Sequence, residues 1–331
     1  MPISGSSATS SEVTVTEEEL EYEEGGKYLA RPKHGYPEED LRPVQHPNNL
    51  GWYPVRLGEH FDGHRYIVLR KLGWGMNSNV WLARDMVEKR LVSLKILTHS
   101  RTKDQNIHSI LDLNIVPKSG LEPEADEVKM LVKISEADPS HPGYKHFPQL
   151  LHKFAIESVH GSHICLVTEV LCDGSEYFQT LPLEIDDPDA MIGLDAYLPL
   201  KVVKELTRQL LRAVLYLHEA CGILHGDIKH THVLFRPKDI DRIAAKELLT
   251  NPSTIHPDVG DSPTRLTAPM SQPLPLPFPP TRRTKRKSCH EDGMDTFDWE
   301  LTLVDMGHSS WTAYHYSEDI QPLAFEHLKS F

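Results

Sequence analysis

The sequence predicts an α+β protein, with a β-rich amino-terminal part followed by a partly helical one. Three apolar, β-branched runs follow one another between residues 66 and 97, separated by turn-prone gaps. A long stretch, Leu200 to Ala220, repeats apolar residues at helical spacing. Short apolar runs bound polar loops at Val233–Phe235 and Trp299–Val304. At 331 residues the chain can hold one large domain or two modest ones.

Composition narrows the class. Apolar content of 39% and charged content of 25% fit a soluble globular protein with some irregular sequence. A net charge of −13 argues against a general nucleic-acid binder, and no direct nucleic-acid contact is expected. Cys165, Cys172, Cys221 and Cys289 lack the close pairing of a zinc site and read as reduced thiols of an intracellular protein. Met1-Pro2-Ile3-Ser4-Gly5 has neither a basic n-region nor an apolar h-region, so no secretory signal is expected. No apolar run approaches the roughly 18 residues that span a bilayer, so no membrane partner is expected.

Residues 1–50 read as a disordered acidic leader. Ser and Thr dominate its start, and the run Glu17 to Glu24 cannot bury enough apolar surface to offset chain entropy. Order is expected to begin near Gly51-Trp52-Tyr53-Pro54-Val55. Tyr66–Leu72, Asn79–Asp85 and Leu91–Leu97 are predicted strands, joined as two successive hairpins. Between the first two lies Gly73-Trp74-Gly75-Met76-Asn77-Ser78, a loop after Leu72. Gly73 and Gly75 lack Cβ, which lets backbone amides lie over phosphate oxygens. Val80 sits where an apolar residue caps an adenine, and Ser78 stands where a third glycine is expected. Lys95, in Val92-Ser93-Leu94-Lys95, lies one strand later. An isolated strand lysine is usually a solvent-facing charge, but this one follows apolar neighbours at the right remove to reach ATP phosphates.

Residues 98–120 read as irregular. Leu121 to Ala137 is a predicted helix on the spacing of Leu121, Ala125, Val128, Leu131 and Val132. A phosphate-binding lysine needs a glutamate partner there. Glu124 and Glu127 both qualify by position, and Glu127 is favoured. Phe147–Leu151 with Phe154–Ile156, then Ile164–Leu171, supply two more strands, the last running into a hinge. Backbone groups of Glu169 and Leu171 are expected to face the adenine edge, with Thr168 gating the pocket behind. Asp173 to Leu198 carries no firm pattern. Helix Leu200–Ala220 is expected to bury Val203, Leu206, Leu210, Val214 and Leu217, with Gly222 ending it.

His225-Gly226-Asp227-Ile228-Lys229-His230-Thr231-His232 follows at once, a carboxylate and a lysine in a loop between helix and strand. That is the layout of a phosphotransferase catalytic loop. A short helix is expected around Asp241–Leu249, then a linker over 250–293. Within it, Pro273 to Pro280 favours extended polyproline II. The basic block Thr281 to Lys287 reads either as a nuclear localisation signal at 282–287 or as a solvated charge run. Trp299–Val304 is a strand leading into Asp305-Met306-Gly307, whose carboxylate fits the slot for Mg²⁺ bridging ATP phosphates.

Taken together these residues resemble a eukaryotic-type protein kinase, and within it the SR-protein kinase group, especially its fungal members. The resemblance is carried by Leu72-Gly73-Trp74-Gly75, Ser78 to Asp85, Gly161 to Leu171 and Tyr216-Leu217-His218. His225 to Lys229, Asp305-Met306-Gly307 and Glu318-Asp319-Ile320-Gln321 complete it. The family also has Ser for the third loop glycine and a variable spacer before the Asp-x-Gly strand. The resemblance implies a protein-kinase-like fold, with 51–171 as N-lobe and hinge and 172–249 as a partial C-lobe. Residues 250–296 form the spacer, and 297–331 the metal-binding strand and the start of an activation segment. It implies ATP and Mg²⁺ as cofactors, an ion pair between Lys95 and Glu127, and Asp227 as catalytic base. Lys229 neutralises the γ-phosphate, and Leu72, Gly73, Trp74, Gly75, Ser78, Val80, Lys95, Glu169 and Leu171 surround the nucleotide. Asp305 and His232 take the metal positions. The implied substrates are Ser/Thr residues in Arg/Ser-rich, splicing-related proteins, and the implied location is cytoplasm and nucleus.

Three departures stand out. His232 replaces the family's metal-binding Asn, and imidazole is poorly suited to Mg²⁺. Residues 98–120 do not match the family's approach to the glutamate helix. Glu326 to Phe331 stands where the activation segment should run into Ala-Pro-Glu, so the chain reads as C-terminally truncated. The alternative reading is a catalytically impaired pseudokinase or a nucleotide-binding interaction module.

Overall fold

Alternating burial along three strands sets the direction of the strand side chains, Lys95 among them. A computed structural model describes residues 51–75, 77–104, 126–179, 198, 200–255, 269–277 and 299–314. The chain divides into two units, Met1–Asp40 and Leu41–Phe331, and all described residues belong to the second. The acidic leader, Glu124, the basic block at 282–287, Cys289, Glu318–Gln321 and the last six residues lie outside the described residues.

A six-stranded antiparallel sheet has the order β1-β2-β3-β4-β6-β5. Its members are β1 (His60–Phe61), β2 (Tyr66–Gly75), β3 (Ser78–Asp85) and β4 (Arg90–Leu97). β5 (Leu150–Ser158) and β6 (Gly161–Thr168) complete it. Side chains on a strand alternate faces. Val92, Leu94 and Ile96 therefore pack outward with Tyr66, Val68, Trp81, Ala83, Cys165 and Val167. Lys95 and Leu97 point the other way. Leu97 joins Ile164 and Leu166 in a second core with Val128, Leu131, Ile134, Tyr216 and Leu217.

Three expectations change in this half. Residues 98–120 are not wholly irregular, because α1 (His99–Asp104) forms directly after β4. The glutamate helix, α2 (Glu127–Glu136), begins later than Leu121: Asp126 is extended and its carboxylate accepts from Val128 N and Lys129 N, capping the helix there. Residues 147–149 also fall outside β5, which begins at Leu150.

The helical half contains α3 (Ser175–Gln179), α4 (Leu200–Tyr216) and α5 (Ile240–Thr250). A π-helical turn at Leu217–Cys221 extends α4, and Gly222, at φ 68°, ends it by donating to Leu217 O. The buried stripe of α4 is Val202, Gln209, Ala213 and Tyr216, while Val203 is 40% exposed. Of the expected stripe, Leu217 is fully buried and Leu206 and Leu210 pack against the cores, while Gln209 joins it because its Oε1 accepts from Leu301 N at 2.8 Å. Tyr216 Oη donates to Ile134 O at 2.6 Å, tying α4 to α2.

After β7 (Ile223–Leu224), β8 (Val233–Pro237) pairs antiparallel with β9 (Trp299–Leu303), and β10 (Ser310–Trp311) pairs with β7. The expected linker also contributes to the core. Leu274 and Leu276 are 1% and 2% exposed and pack with Leu82, Val170, Cys172, Phe235, Trp299 and Leu301. Asp173 N donates to Leu274 O and Leu276 N donates to Asp173 O, both at 2.8 Å, and Gln272 N donates to Lys71 O at 2.9 Å. Extended proline-rich backbone is well suited to such edge pairing, and each buried leucine contributes about 1.5–3 kcal/mol. No helix among the described residues is long and apolar enough to cross a membrane. Cys165, Cys172 and Cys221 are unbridged and buried.

Candidate active site

Lys95 is the meeting point of the two halves. In β4 it stands opposite Val80 of β3, with Ser93 opposite Thr168 two positions earlier. Its Nζ lies 2.5 Å from Glu127 Oε1 and 3.0 Å from Asp305 Oδ1. Glu127 is almost wholly buried on the first turn of α2. Burial works against the Lys95 ammonium, but the two carboxylates outweigh it and hold the pKa above the ordinary lysine value. Lys95 in turn is the main reason that the Asp305 carboxyl is held well below the usual carboxylate range, against the opposing effect of burial. Among the described residues, the favoured Glu127 meets the lysine.

Asp305 sits at φ 66°, in the left-handed region, at the start of the turn Met306–His308. Asp tolerates that conformation better than most residues because its short side chain bonds locally. Here Gly307 N donates to its Oδ1 at 3.3 Å. Backbone pairing fixes the approach, with Val304 N donating to His232 O at 2.9 Å.

The catalytic-loop candidate is built on buried polar contacts. Gly226 takes φ 76°, which turns the chain between His225 and Asp227. His225 Nε2 donates to Val304 O at 3.1 Å, and Asp227 N donates to His225 Nδ1 at 3.3 Å. One neutral tautomer satisfies both bonds, and burial lowers the His225 pKa accordingly. Ser309 Oγ donates to His225 O at 3.1 Å. Asp227 is 6% exposed, and its Oδ2 accepts from Lys229 Nζ at 2.8 Å. Burial alone would raise the Asp227 carboxyl, yet Lys229, with His232 and His308 nearby, holds it below its usual value. His232 Nδ1 donates to Asp227 O at 2.8 Å, and its Nε2 lies 3.3 Å from Asp305 Oδ2. His308 Nδ1 lies 3.8 Å from Asp227 Oδ2.

The structure therefore gathers Lys95, Glu127, Asp227, Lys229, His232 and Asp305 into one continuous network. Leu72, Gly73, Trp74 and Gly75 end β2, and Ser78 begins β3 as the direct partner of Gly75, so these residues line one hairpin end. Leu72 packs against the Leu82 and Phe235 core. Glu169 and Leu171 directly follow β6, which ends at Thr168. The Glu169 carboxylate faces the other half: Arg236 Nη2 and Nε donate to its Oε1 and Oε2 at 2.6 and 2.7 Å. The same guanidinium donates to Glu300, Lys145 O and Phe147 O. This bidentate clamp fixes the segment after β6 against β8 and β9.

Two contributors were missed by sequence reasoning. Arg236 lies one residue past the apolar run of β8, and only the fold shows that it faces Glu169. Arg101, on α1, donates through Nη2 to Gly307 O at 3.0 Å. No motif marks an arginine whose partner is a backbone carbonyl 206 positions away.

No protein-family model matches the chain. Curated relatives do. It is 37% identical to "Protein kinase dsk1" of Schizosaccharomyces pombe over 184 residues, covering 56% of this chain and 29% of that protein. It is 36% identical to "SRSF protein kinase 3" of Mus musculus over 198 residues, covering 59% and 30% respectively. It is 33% identical to "Serine/threonine-protein kinase SKY1" of Saccharomyces cerevisiae over 196 residues, covering 58% and 23%. The chain spans less than a third of the length of these relatives. A crystal structure of a kinase domain superposes with a TM-score of 0.45 at 14% identity, covering 82% of this chain and 59% of that one. By sequence, over more than half of its length, this chain is similar to the SR-protein kinases.

Proposed function

We propose that the chain carries the phosphoryl-transfer site of an ATP-dependent serine/threonine protein kinase. Its substrates are Ser or Thr residues in Arg/Ser-rich, splicing-related proteins, met in the cytoplasm and nucleus. The observation that carries this reading is the bridging of Glu127 and Asp305 by Lys95, within one network that also holds Asp227 and Lys229. A lysine held by a buried carboxylate on one side keeps its charge aimed into the cleft, where α- and β-phosphates of ATP bind. The hairpin end formed by Leu72, Gly73, Trp74, Gly75, Ser78 and Val80 covers the nucleotide, with the backbone of Glu169 and Leu171 at the adenine edge.

Asp227 accepts the proton of the substrate hydroxyl as that oxygen attacks the γ-phosphorus, and the bond from phosphorus to the bridging oxygen breaks. Its depressed pKa keeps it ionised, so it orients the hydroxyl more than it stores the proton. Lys229 offsets the charge of the transferred group. The Asp305 carboxylate, with one oxygen toward Lys95, fits a divalent cation, and that cation when bound neutralises the phosphates. The His232 imidazole does not fit Mg²⁺, which takes oxygen ligands.

The test is transfer from γ-labelled ATP to an Arg/Ser-repeat peptide by the whole chain. Transfer that Asp227→Ala abolishes supports the reading. Nucleotide binding without transfer, under every divalent cation tried, would instead leave a nucleotide-binding interaction module.

A further inference from the structure

His232 presents a donor set of its own. Its Nδ1 donates to the Asp227 carbonyl at 2.8 Å, which fixes the tautomer and the ring plane. That bond leaves the Nε2 position facing Asp305 Oδ2 at 3.3 Å. A ring nitrogen oriented by a bond from the other nitrogen to a backbone carbonyl is the usual arrangement of a metal-binding histidine. The 3.3 Å contact is long for a charge-assisted N–H···O hydrogen bond, which runs about 2.7–2.9 Å. It suits two ligands of one ion, because bonds of about 2.0–2.2 Å place neighbouring donors roughly 3 Å apart. Asp305 Oδ1 is engaged by Lys95 and Gly307 N, so Oδ2 is the oxygen turned toward His232. The His232 side chain is 12% exposed and that of Asp305 36%, so solvent reaches the pair mainly at Asp305.

We infer that His232 and Asp305 form a mixed nitrogen–oxygen half-site that selects a first-row transition-metal dication, Co²⁺ in kind, over Mg²⁺. This rests on the nucleotide-site reading, since phosphate oxygens complete the coordination. Among the described residues no third His, Cys, Asp or Glu is placed to complete a metal site from protein alone. Without nucleotide the half-site is therefore weak. Imidazole nitrogen binds transition dications well and Mg²⁺ poorly, whereas carboxylate oxygen accepts both. The selectivity therefore belongs to His232, and Asp305 supplies affinity.

The experiment uses the full chain, stripped with a chelator, and a fluorescent ATP analogue titrated in Mg²⁺, Mn²⁺ and Co²⁺. The expected result is nucleotide affinity at least about 10-fold tighter in Co²⁺ than in Mg²⁺. His232→Asn, which keeps a donor for the Asp227 carbonyl, brings that ratio to within about 3-fold. The visible Co²⁺ absorption, taken as wild type minus His232→Asn with nucleotide present, gives a second readout independent of turnover. His232→Gln repeats the comparison if the Asn variant does not fold. Equal affinity in Mg²⁺ and Co²⁺, or a ratio unchanged in both variants, overturns the inference while leaving the nucleotide site intact. No nucleotide binding in any cation overturns both.

Discussion

The sheet half and the loop half place their charged groups by different means. In the sheet, Lys95 is aimed by strand alternation and by an unbroken register of β3 on β4 from Ser78↔Leu97 to Asp85↔Arg90. Turning it outward requires slipping the strand and burying a charge where Leu94 and Ile96 now pack. In the loops, nothing periodic aims Asp227 or Asp305. They are held one bond at a time: His225 on Val304, Val304 on His232, Ser309 on His225, Arg101 on Gly307. A strand encodes its direction locally, whereas a loop borrows it from residues far away in sequence. The two should therefore fail differently when single side chains are removed.

The largest expected effect lies in the loop half. Asp227→Ala removes the carboxylate that we propose meets the substrate hydroxyl, and transfer rate should fall about 10²–10⁴-fold with the thermal midpoint little changed. A steady-state assay beside a melting curve checks this, and a rate within about 3-fold of wild type would break the assignment. Next comes the packed segment that joins the halves. Leu274→Ala should destabilise the chain by about 2–5 kcal/mol, because a fully buried leucine leaves a cavity. A change below about 0.5 kcal/mol in a denaturant titration would mean that the proline-rich segment is not part of the core.

Arg101→Ala should act more mildly. It removes a charge-assisted bond to Gly307 O, of about 1.5–3 kcal/mol, and should weaken metal-dependent nucleotide binding about 10-fold or more. The sheet is expected to melt as before, and Arg101→Lys should recover part of the binding. Equal loss in both variants, or none in either, would sharpen the comparison against α1 as a support of the Asp305 loop.

The smallest effect is in pH. His146 and His163 are fully buried and His225 nearly so, and burial lowers the pKa of each. A base whose folded pKa is depressed contributes stability above its unfolded pKa of about 6.5 and loses it as pH falls. The melting temperature should decline from pH 7.5 to 5.5. His163→Gln should flatten that slope, since its ring sits between Leu97 O and Ser158 Oγ.

The same contrast explains what was legible in the sequence. The sheet strands, Lys95 and Glu127 could be read because period and spacing fix which way they point. Asp227 and Asp305 could be read because they stand in short motifs beside apolar runs. The α4 stripe was read in part: Leu206, Leu210 and Leu217 pack inward, but apolar counting placed Val203 inside and ignored Gln209, whose burial is satisfied by a backbone N–H of β9. Leu274 and Leu276 were hidden among prolines, which signal an extended chain but not what it lies against. Arg101 and Arg236 were invisible because their partners are set by the fold alone.

The central claim is that Lys95 joins the halves into one nucleotide site, and calorimetric titration of the whole chain with ATP and a divalent cation tests it most directly. The account predicts saturable binding that Lys95→Met weakens at least about 10-fold while the melting transition persists. Saturable binding of equal strength in wild type and Lys95→Met, or no binding by a well-folded wild-type chain, would contradict it.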